Sequence, residues 1–523
     1  MDARRIHRLF YLLLGLLLWA VAPLRAAGNA GNDDGVLNRT IQLSRSTETV
    51  YRLLGRVSEQ TGYLFIYDSD LIQNERVVKL KAGTRTVRQC IYEIIGNPQL
   101  ELRVVGNHIL IYQAKSPVAE NAPIVAKTDS LTYFTIGGVL KDRYTQEPIP
   151  FATVSVVGTS IGSVANQNGK YRLHLPDSLR TASVSFSHLG YVSQTVEVPL
   201  LYGTSNTLSL EPKVIPLQEV VIRVANPARL LREMLDARPK NYLHEPVYLT
   251  TFYREGVERK NRFVNLTEAV FKVYKSSYRY EQIPDQVKLL KMRTISNRLE
   301  RDTFILKMKS GIDACLQLDL IKHLPDFLEP ASAEQVYTYA SSDITVVNNR
   351  VANVVSFEQR KGIRDPYYCG ELYIDSENSA LLQARFEVNP AYVTRASKLF
   401  VEKKGRDVSI TPQKVVYTVS YKLWQNTYYV NHVRGDLYFK VKKKKRLFGS
   451  FTLHTWFEMV TCKIDTQQVT RLGRKEKLPT RTVFADTRYE YDKVFWGDFN
   501  VIPPEEQLTE AMEKLSSKVE ETQ

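Results

Sequence analysis

Apolar residues recur along this chain at two periods, and the change between them divides it. After Thr49 they fall at Val50, Leu53, Leu54 and Val57, and after Thr86 at Val87, Cys90, Ile91, Ile94 and Ile95. Both sets follow the spacing of a helix that buries one face. The threonine ahead of each predicts an N-cap for free backbone N–H groups. Each helix leads into a strand-like run, at 63–67 and 100–105, and a last strand at 108–112 follows the turn at Gly106 and Asn107. Leu43 stands six residues before Thr49 and Leu80 six before Thr86. Residues 38–113 therefore read as two βαβ-like halves of one compact α+β domain.

Residues 114–131, with two prolines from Lys115 on and few large apolar side chains, read as a linker. From Phe134 the period becomes two. Ala152, Val154 and Val156 share one face, as do Tyr171, Leu173 and Leu175, which predicts short half-buried strands of a β-sandwich over 134–223. Asn226 as cap, Pro227 in the first turn and the stripe Leu230, Leu231, Met234 and Leu235 predict a helix that Pro239 stops. Strands then dominate 246–503, with a helix expected near 313–320. Hairpins are expected at Asn348–Asn349, over 375–378 and over 424–428. Alternation at Tyr417, Val419, Tyr421 and Leu423 extends the meander. A twisted antiparallel sheet or half-barrel is the expected form, with too few strands for a transmembrane barrel. Residues 505–523 read as a charged amphipathic helix with the stripe Leu508, Met512, Leu515 and Val519.

The start of the chain changes the compartment. Arg4, Arg5 and Arg8 precede an apolar run from Leu9 to Val21, and small residues follow at Ala22, Ala26 and Ala27. Residues 1–27 read as a secretory signal peptide, the run being short for a membrane span; an uncleaved anchor is the alternative. No cysteine precedes Cys90, so a lipid-modified cysteine directly after the signal is not expected. The four cysteines have no CxxC spacing. Cys90 reads as a packed thiol, and spacing does not pair Cys315, Cys369 and Cys462.

The formal charge of the 523 residues is +15. Four arginines less Asp2 put about +3 of it in the first 27 residues, leaving about +12. Its densest patch is 440–446, where Lys440, Lys442, Lys443, Lys444, Lys445 and Arg446 cluster. In an exported protein this is a solvated hairpin tip or a contact for anionic lipid headgroups, with nucleic acid the remotest of the three.

Catalytic motifs are missing. No histidine is followed by Glu three residues later. His174 and His323 have Asp177 and Asp326 at that spacing, but one lies in a strand pattern and the other beside Pro325. No His-Glu-x-x-His, no Gly-x-Ser-x-Gly and no phosphate loop occurs; Gly169 and Lys170 are followed by Tyr171. No cofactor, metal or catalytic residue is expected. The 30 tyrosines fit sheet packing better than sugar stacking.

Two resemblances add to this reading. The repeat at 38–113, with its helix exit at Gln60, Thr61 and Gly62, resembles the short N-terminal (STN) domain of secretins and TonB-dependent receptors. Gly138-Val139, the run from Glu147 to Ala152, Gly158-Thr159, Asn168 to Tyr171 and Leu189-Gly190-Tyr191 resemble, in order, the carboxypeptidase regulatory-like domain. That domain is a transthyretin-like sandwich of Bacteroidetes outer-membrane receptors. Its glycines permit tight turns, and its tyrosines are expected to pack with their hydroxyls at the surface. Asn166 replaces the family's usual Asp, and is expected to change a turn side chain and little else. Leu217-Gln218-Glu219-Val220-Val221-Ile222 resembles the stretch near the TonB contact of those receptors. It is either a partner-binding strand, through Leu217, Glu219, Val220, Val221 and Ile222, or the last strand of the sandwich.

The expected fold is multidomain α+β, mostly β: a βαβ-repeat domain, an immunoglobulin- or transthyretin-like sandwich, an antiparallel β-rich domain over 226–504 and a terminal helix. The resemblances imply an exported, periplasm-facing, outer-membrane-associated binding or scaffolding protein without enzymatic activity. Its partners would be envelope proteins, TonB-system or outer-membrane barrel components among them. The alternative is a carrier with a lipid or glycan in the C-terminal β domain.

Overall fold

The structure, a computed structural model, describes residues 35–68, 72–73, 76–105, 108–113, 132–213, 226–259, 262–279, 283–296, 306–308, 311–404, 408–443, 450–480 and 499–504. The expected signal peptide at 1–27, the expected linker at 114–131, the 217–222 run and the expected helix at 505–523 all lie outside these residues. The chain forms two compact units.

In the first unit, β1 (Thr40–Leu43), β2 (Ser46–Thr49), α1 (Val50–Thr61) and the start of β3 (Leu64–Asp68), up to Phe65, are followed by β4 (Val77–Leu80), β5 (Gly83–Thr86), α2 (Val87–Ile95), β6 (Leu100–Val105) and β7 (His108–Gln113). The threonines act as expected. Thr49 Oγ1 accepts from the Arg52 amide, and Thr86 forms a reciprocal capping box with Gln89. Both apolar stripes are buried, with Val50, Val57, Cys90 and Ile91 fully enclosed. β1 pairs with β5 and β2 with β4, so each half of the repeat lends strands to the other.

The second unit opens with the sandwich: β8 (Tyr133–Asp142), β9 (Thr153–Val156), β10 (Gly162–Val164), β11 (Lys170–Pro176), β12 (Ser183–Ser187), β13 (Gln194–Glu197) and β14 (Gly203–Leu210). One sheet has the order β10-β9-β12-β13. In the other, β8 pairs antiparallel with β11 and parallel with β14. The predicted faces are the core, since Ala152, Val154, Val156, Tyr171, Leu173 and Leu175 are all buried. The tyrosine hydroxyls differ from expectation. Tyr171 is buried to its hydroxyl, and Tyr191 donates to Asp142 Oδ2 at 2.8 Å. The same carboxylate accepts the amides of Tyr144 and Thr145 and so fixes the turn after β8.

The rest of the unit is one large sheet with helices on one face. Its elements are α3 (Pro227–Asp236), α4 (Arg238–Asn241), β15 (Val247–Arg259), β16 (Arg262–Lys275), β17 (Gln286–Ser296), β18 (Leu306–Met308), α5 (Gly311–Gln317), α6 (Pro330–Val336), β19 (Tyr337–Val347), β20 (Arg350–Gln359), β21 (Tyr368–Asp375), β22 (Leu381–Val388), α7 (Ser397–Phe400), β23 (Val401–Lys404), β24 (Val408–Trp424), β25 (Thr427–Lys443) and β26 (Ser450–Asp465). Asn226 caps α3 as expected, and α3 ends at Asp236, short of Pro239, which lies in the first turn of the separate α4. β18 and β23 pair with each other. The remaining strands form a 10-stranded sheet, more strands than the sequence runs suggest, in the order β17-β16-β15-β26-β25-β24-β22-β21-β20-β19.

Every neighbouring pair is antiparallel, and β17 and β19 do not pair, so the sheet is open. Asn348 and Asn349, and Gln425 and Asn426, have positive φ, as two-residue hairpins of this twist require. One face of the sheet carries Leu249, Tyr253, Phe271, Phe357, Phe386 and Val433, packed against Met234, Tyr242, Ile312 and Phe327 from the helices and loops. Among the described residues no helix is long and apolar enough to cross a membrane.

Candidate functional site

The second face of the large sheet carries the charged residues, and strand register aligns them in a single row. Successive cross-strand partners read Arg293, Glu268, Arg254, Glu458, Arg434, Thr418, Arg385, Glu371, Ser356 and Ala340, from β17 to β19. Each of these strands alternates, with its other neighbours on the packed face, so one residue per strand falls in the row. Opposite charges directly across a strand pair attract, and the row alternates in sign over its first five strands.

The first half of the row is buried. Arg254 is 0 % exposed, Glu268 and Glu458 each 1 %, and Arg434 3 %. Arg254 Nε donates to Glu268 Oε1 at 2.9 Å, and its Nη1 stands 3.5 Å from Glu458 Oε1. Arg293 Nε reaches the other Glu268 oxygen at 2.6 Å. Arg434 lies 3.4 Å from Glu458 and makes a two-pronged contact with Asp436 at 2.8 and 2.9 Å. Three arginines thus meet three carboxylates, which is the condition for holding such groups out of water. Burial pushes the Glu458 carboxyl up, but His432, Arg434 and Arg254 outweigh it and hold the group below its ordinary range. Asp436 is held at about 2: burial opposes ionisation, and the His454 hydrogen bond and Arg434 overcome it. His454, 3.0 Å from Asp436 and 3.6 Å from Glu258, is raised: burial lowers it, and the two carboxylates more than compensate.

The sandwich and residues 499–504 cover this half. Phe151 lies over the Arg434 guanidinium at 4.7 Å, and Ser160 exchanges hydrogen bonds with the backbone of Ile464. The carbonyl of Ile502 accepts from Arg254 Nη2 at 2.5 Å, while Val501 and Ile502 pack on Phe252, Val270 and Val460. Asn166 has a larger role than the sequence suggests. Its amide donates to the carbonyls of Pro503 and Pro504, each at 3.1 Å, while its oxygen accepts from Asn168 and Lys170. An ionised Asp has no proton to give those carbonyls, so the departure from the family pattern is a clasp for 499–504.

The other half of the row is open. Arg385, Glu371, Ser356 and Ala340 line a groove of about 540 Å³ together with Thr338, Glu358, Cys369, Glu387, Lys414 and Val416. Glu358, Glu371, Arg385 and Lys414 are exposed, and Cys369 is half-buried, its thiol pushed up to about 11 by burial. Tyr373 donates to Glu371 at 2.6 Å and orients that carboxylate.

Other charged clusters serve packing. Lys275 and Lys322 meet Asp285 and Asp319 on the packed side, with the hydroxyls of Ser276, Tyr278 and Tyr421. All four charges are nearly or fully enclosed, and burial draws the Lys322 ammonium down. The neighbouring void, about 20 Å³, has room for one water. His174 stacks on Tyr133, and Asp326 accepts from Tyr337, so neither half-motif is assembled as a metal pair. Among the described residues no group of three or more His, Cys, Asp or Glu side chains is placed to hold a metal ion. All four thiols are free.

Of the residues singled out in the sequence, Leu217, Glu219, Val220, Val221 and Ile222 lie outside the described residues, as do Lys444, Lys445 and Arg446. Lys442 is exposed near the end of β25, opposite Ser409 and Ser450, and Lys443 closes that strand. The described part of the basic run, Lys440 to Lys443, therefore forms the end of β25. The row itself was missed. Its signal is a charge at the centre of each apolar strand, as in Phe252-Tyr253-Arg254, Glu268-Ala269-Val270 and Phe457-Glu458-Met459.

The sandwich can now be assigned. Residues 136–222 match the CarboxypepD_reg-like domain. No curated protein matches the chain. Among solved structures, the chain is similar to MucB, at 12% identity over 46% of this chain and 93% of that one, with a TM-score of 0.17. It is similar to a DUF1329 family protein from Desulfovibrio piger ATCC 29098, at 12% identity over 47% and 95%, with a TM-score of 0.19. A third likeness is to lipovitellin, at 9% identity over 45% and 27%, with a TM-score of 0.21. Scores this low leave fold and function to the chain's own geometry. The CarboxypepD_reg-like domain, through Phe151, Ser160 and Asn166, is what closes one half of the charged row.

Proposed function

We infer that this chain is a non-enzymatic binding or scaffolding protein, exported and facing the periplasm at the outer membrane, with its binding surface in the open half of the charged row. One observation carries the reading: a single row of polar residues is covered by the CarboxypepD_reg-like domain on one side and left as a groove of about 540 Å³ on the other. The enzymatic alternative has little support among the described residues: the Cys369 thiol in the groove is pushed up by burial and so is a weak nucleophile. The nearest arrangement, Lys322 with Ser276 and Asp285, is enclosed among its own ion pairs. A carrier needs an apolar cavity, and the packed face is instead filled by its aromatics, with Phe327 stacked on Phe357 at 4.4 Å and lying 5.1 Å from Phe386. The repeat domain at 38–113 would be a second contact surface, toward envelope proteins such as TonB-system or barrel components.

The test is a photo-crosslinking amino acid introduced at Ser356 in cells, with one at Lys442 for comparison. A discrete protein adduct from Ser356 is expected. Absence of any adduct there, with the protein folded and exported, would remove the groove from the binding role.

A further inference from the structure

The covered half of the row indicates what the open half accepts. Residues 499–504 lie on it, and the carbonyl of Ile502 takes its hydrogen bond from Arg254. The row thus already binds polypeptide backbone through an arginine whose charge is shared with neighbouring glutamates. Arg385 repeats that placement, directly opposite Glu371 on the adjacent strand, with Ser356 and Ala340 too short to fill the space beyond.

The charge differs between the halves. In the covered half the arginines and carboxylates balance. The open groove carries Glu358, Glu371 and Glu387 against Arg385 and Lys414, an excess of one negative charge in a chain whose formal charge is +15. A local acidic surplus on a basic protein selects for a cationic occupant, because the surrounding field repels such a ligand everywhere else. Resting on the binding role assigned to this groove, we propose that it takes an extended polypeptide segment of a partner protein bearing Lys or Arg side chains. The backbone carbonyls of that segment meet Arg385, and its cations meet Glu358 and Glu387.

The experiment uses the full chain and a short fluorescent peptide of alternating lysine and valine, with an alternating glutamate and valine peptide as control. Fluorescence anisotropy should give saturable binding of the lysine peptide that weakens with salt. The Glu358→Gln/Glu387→Gln double variant should weaken it about tenfold, as expected for two half-exposed charge contacts. Glu358 is exposed and Glu387 half-buried without a buried ion-pair partner among the described residues, so the double variant should still fold, which circular dichroism checks. Lysine-peptide binding that is absent, or unchanged in the double variant, overturns the proposal, as does tighter binding of the glutamate peptide. If the Ser356 adduct still forms in cells and the lysine peptide does not compete with it, the groove keeps its binding role and only the basic-peptide assignment falls.

Discussion

The covered half of the row spans β17, β16, β15, β26 and β25; the open half spans β24, β22, β21, β20 and β19. Both halves use arginine and glutamate on the same face of the same sheet, in register. In the covered half each charge has an oppositely charged partner close by, and a carbonyl or an aromatic ring closes the remaining space. In the open half the same residue types stand exposed along a groove. The difference is one of solvation as well as of charge balance. A charge enclosed without a partner would cost several kcal/mol, so cover and pairing must occur together.

The sharpest way to break this comparison is to remove one arginine from each half. Arg254→Ala leaves Glu268 and Glu458 enclosed beside an empty space, and should cost about 3–5 kcal/mol. Arg385→Ala should change stability by no more than about 0.5 kcal/mol. Urea unfolding followed by tryptophan fluorescence reads both, because Trp456 lies 5.2 Å from the Arg434 guanidinium in the covered half. Equal losses would mean that cover contributes nothing to the difference.

A smaller effect tests the electrostatics at the margin of the covered half. Asp436 ionises at about 2 in the folded chain against an ordinary 3.8. Its contribution is therefore complete above about pH 4 and is lost as the pH falls toward 2, amounting to about 2 kcal/mol. His454 works in the opposite direction. Its value is raised above 6.5, so its contribution is complete below that pH and is lost as the pH rises through the folded value. The stability gap between the wild type and Asp436→Asn should be widest between about pH 4 and pH 6.5 and should close in acid. Urea midpoints across that range check it; a gap constant down to pH 2 would mean that Asp436 is not held by charge.

Much of the fold was legible because it depends on local chemistry. Thr49 and Thr86 announce their helices by capping, and the alternation from Ala152 to Val156 identifies a buried face whatever lies opposite. Asn348 and Asn349 state their hairpin through the positive φ that asparagine tolerates. The charged row was not legible, because it is a property of register between strands far apart in sequence. Arg254 meets Glu458 only because β26 returns to pair with β15, and no spacing along the chain encodes that. Asn166 was misread for the same reason. Its turn is local, while the carbonyls it holds belong to Pro503 and Pro504.

The smallest effect leaves stability untouched and asks how firmly the cover is seated. Cys369 lies in the open groove beside Glu387, and Cys462 lies under the cover, donating its thiol to the carbonyl of Asn500 at 3.3 Å. Burial pushes them up to about 11 and about 12 respectively. The thiolate is the reactive form, so both thiols react slowly, and exclusion of the reagent from the enclosed Cys462 sets the two apart. Treatment of the native chain with a neutral alkylating reagent, followed by peptide mass mapping, should modify Cys369 first and leave Cys462 until the cover opens. In denaturant the two should react alike. Native rates within a factor of two would mean that residues 499–504 lift often enough to expose Cys462, and the two halves would then differ in occupancy of their cover and not in its presence.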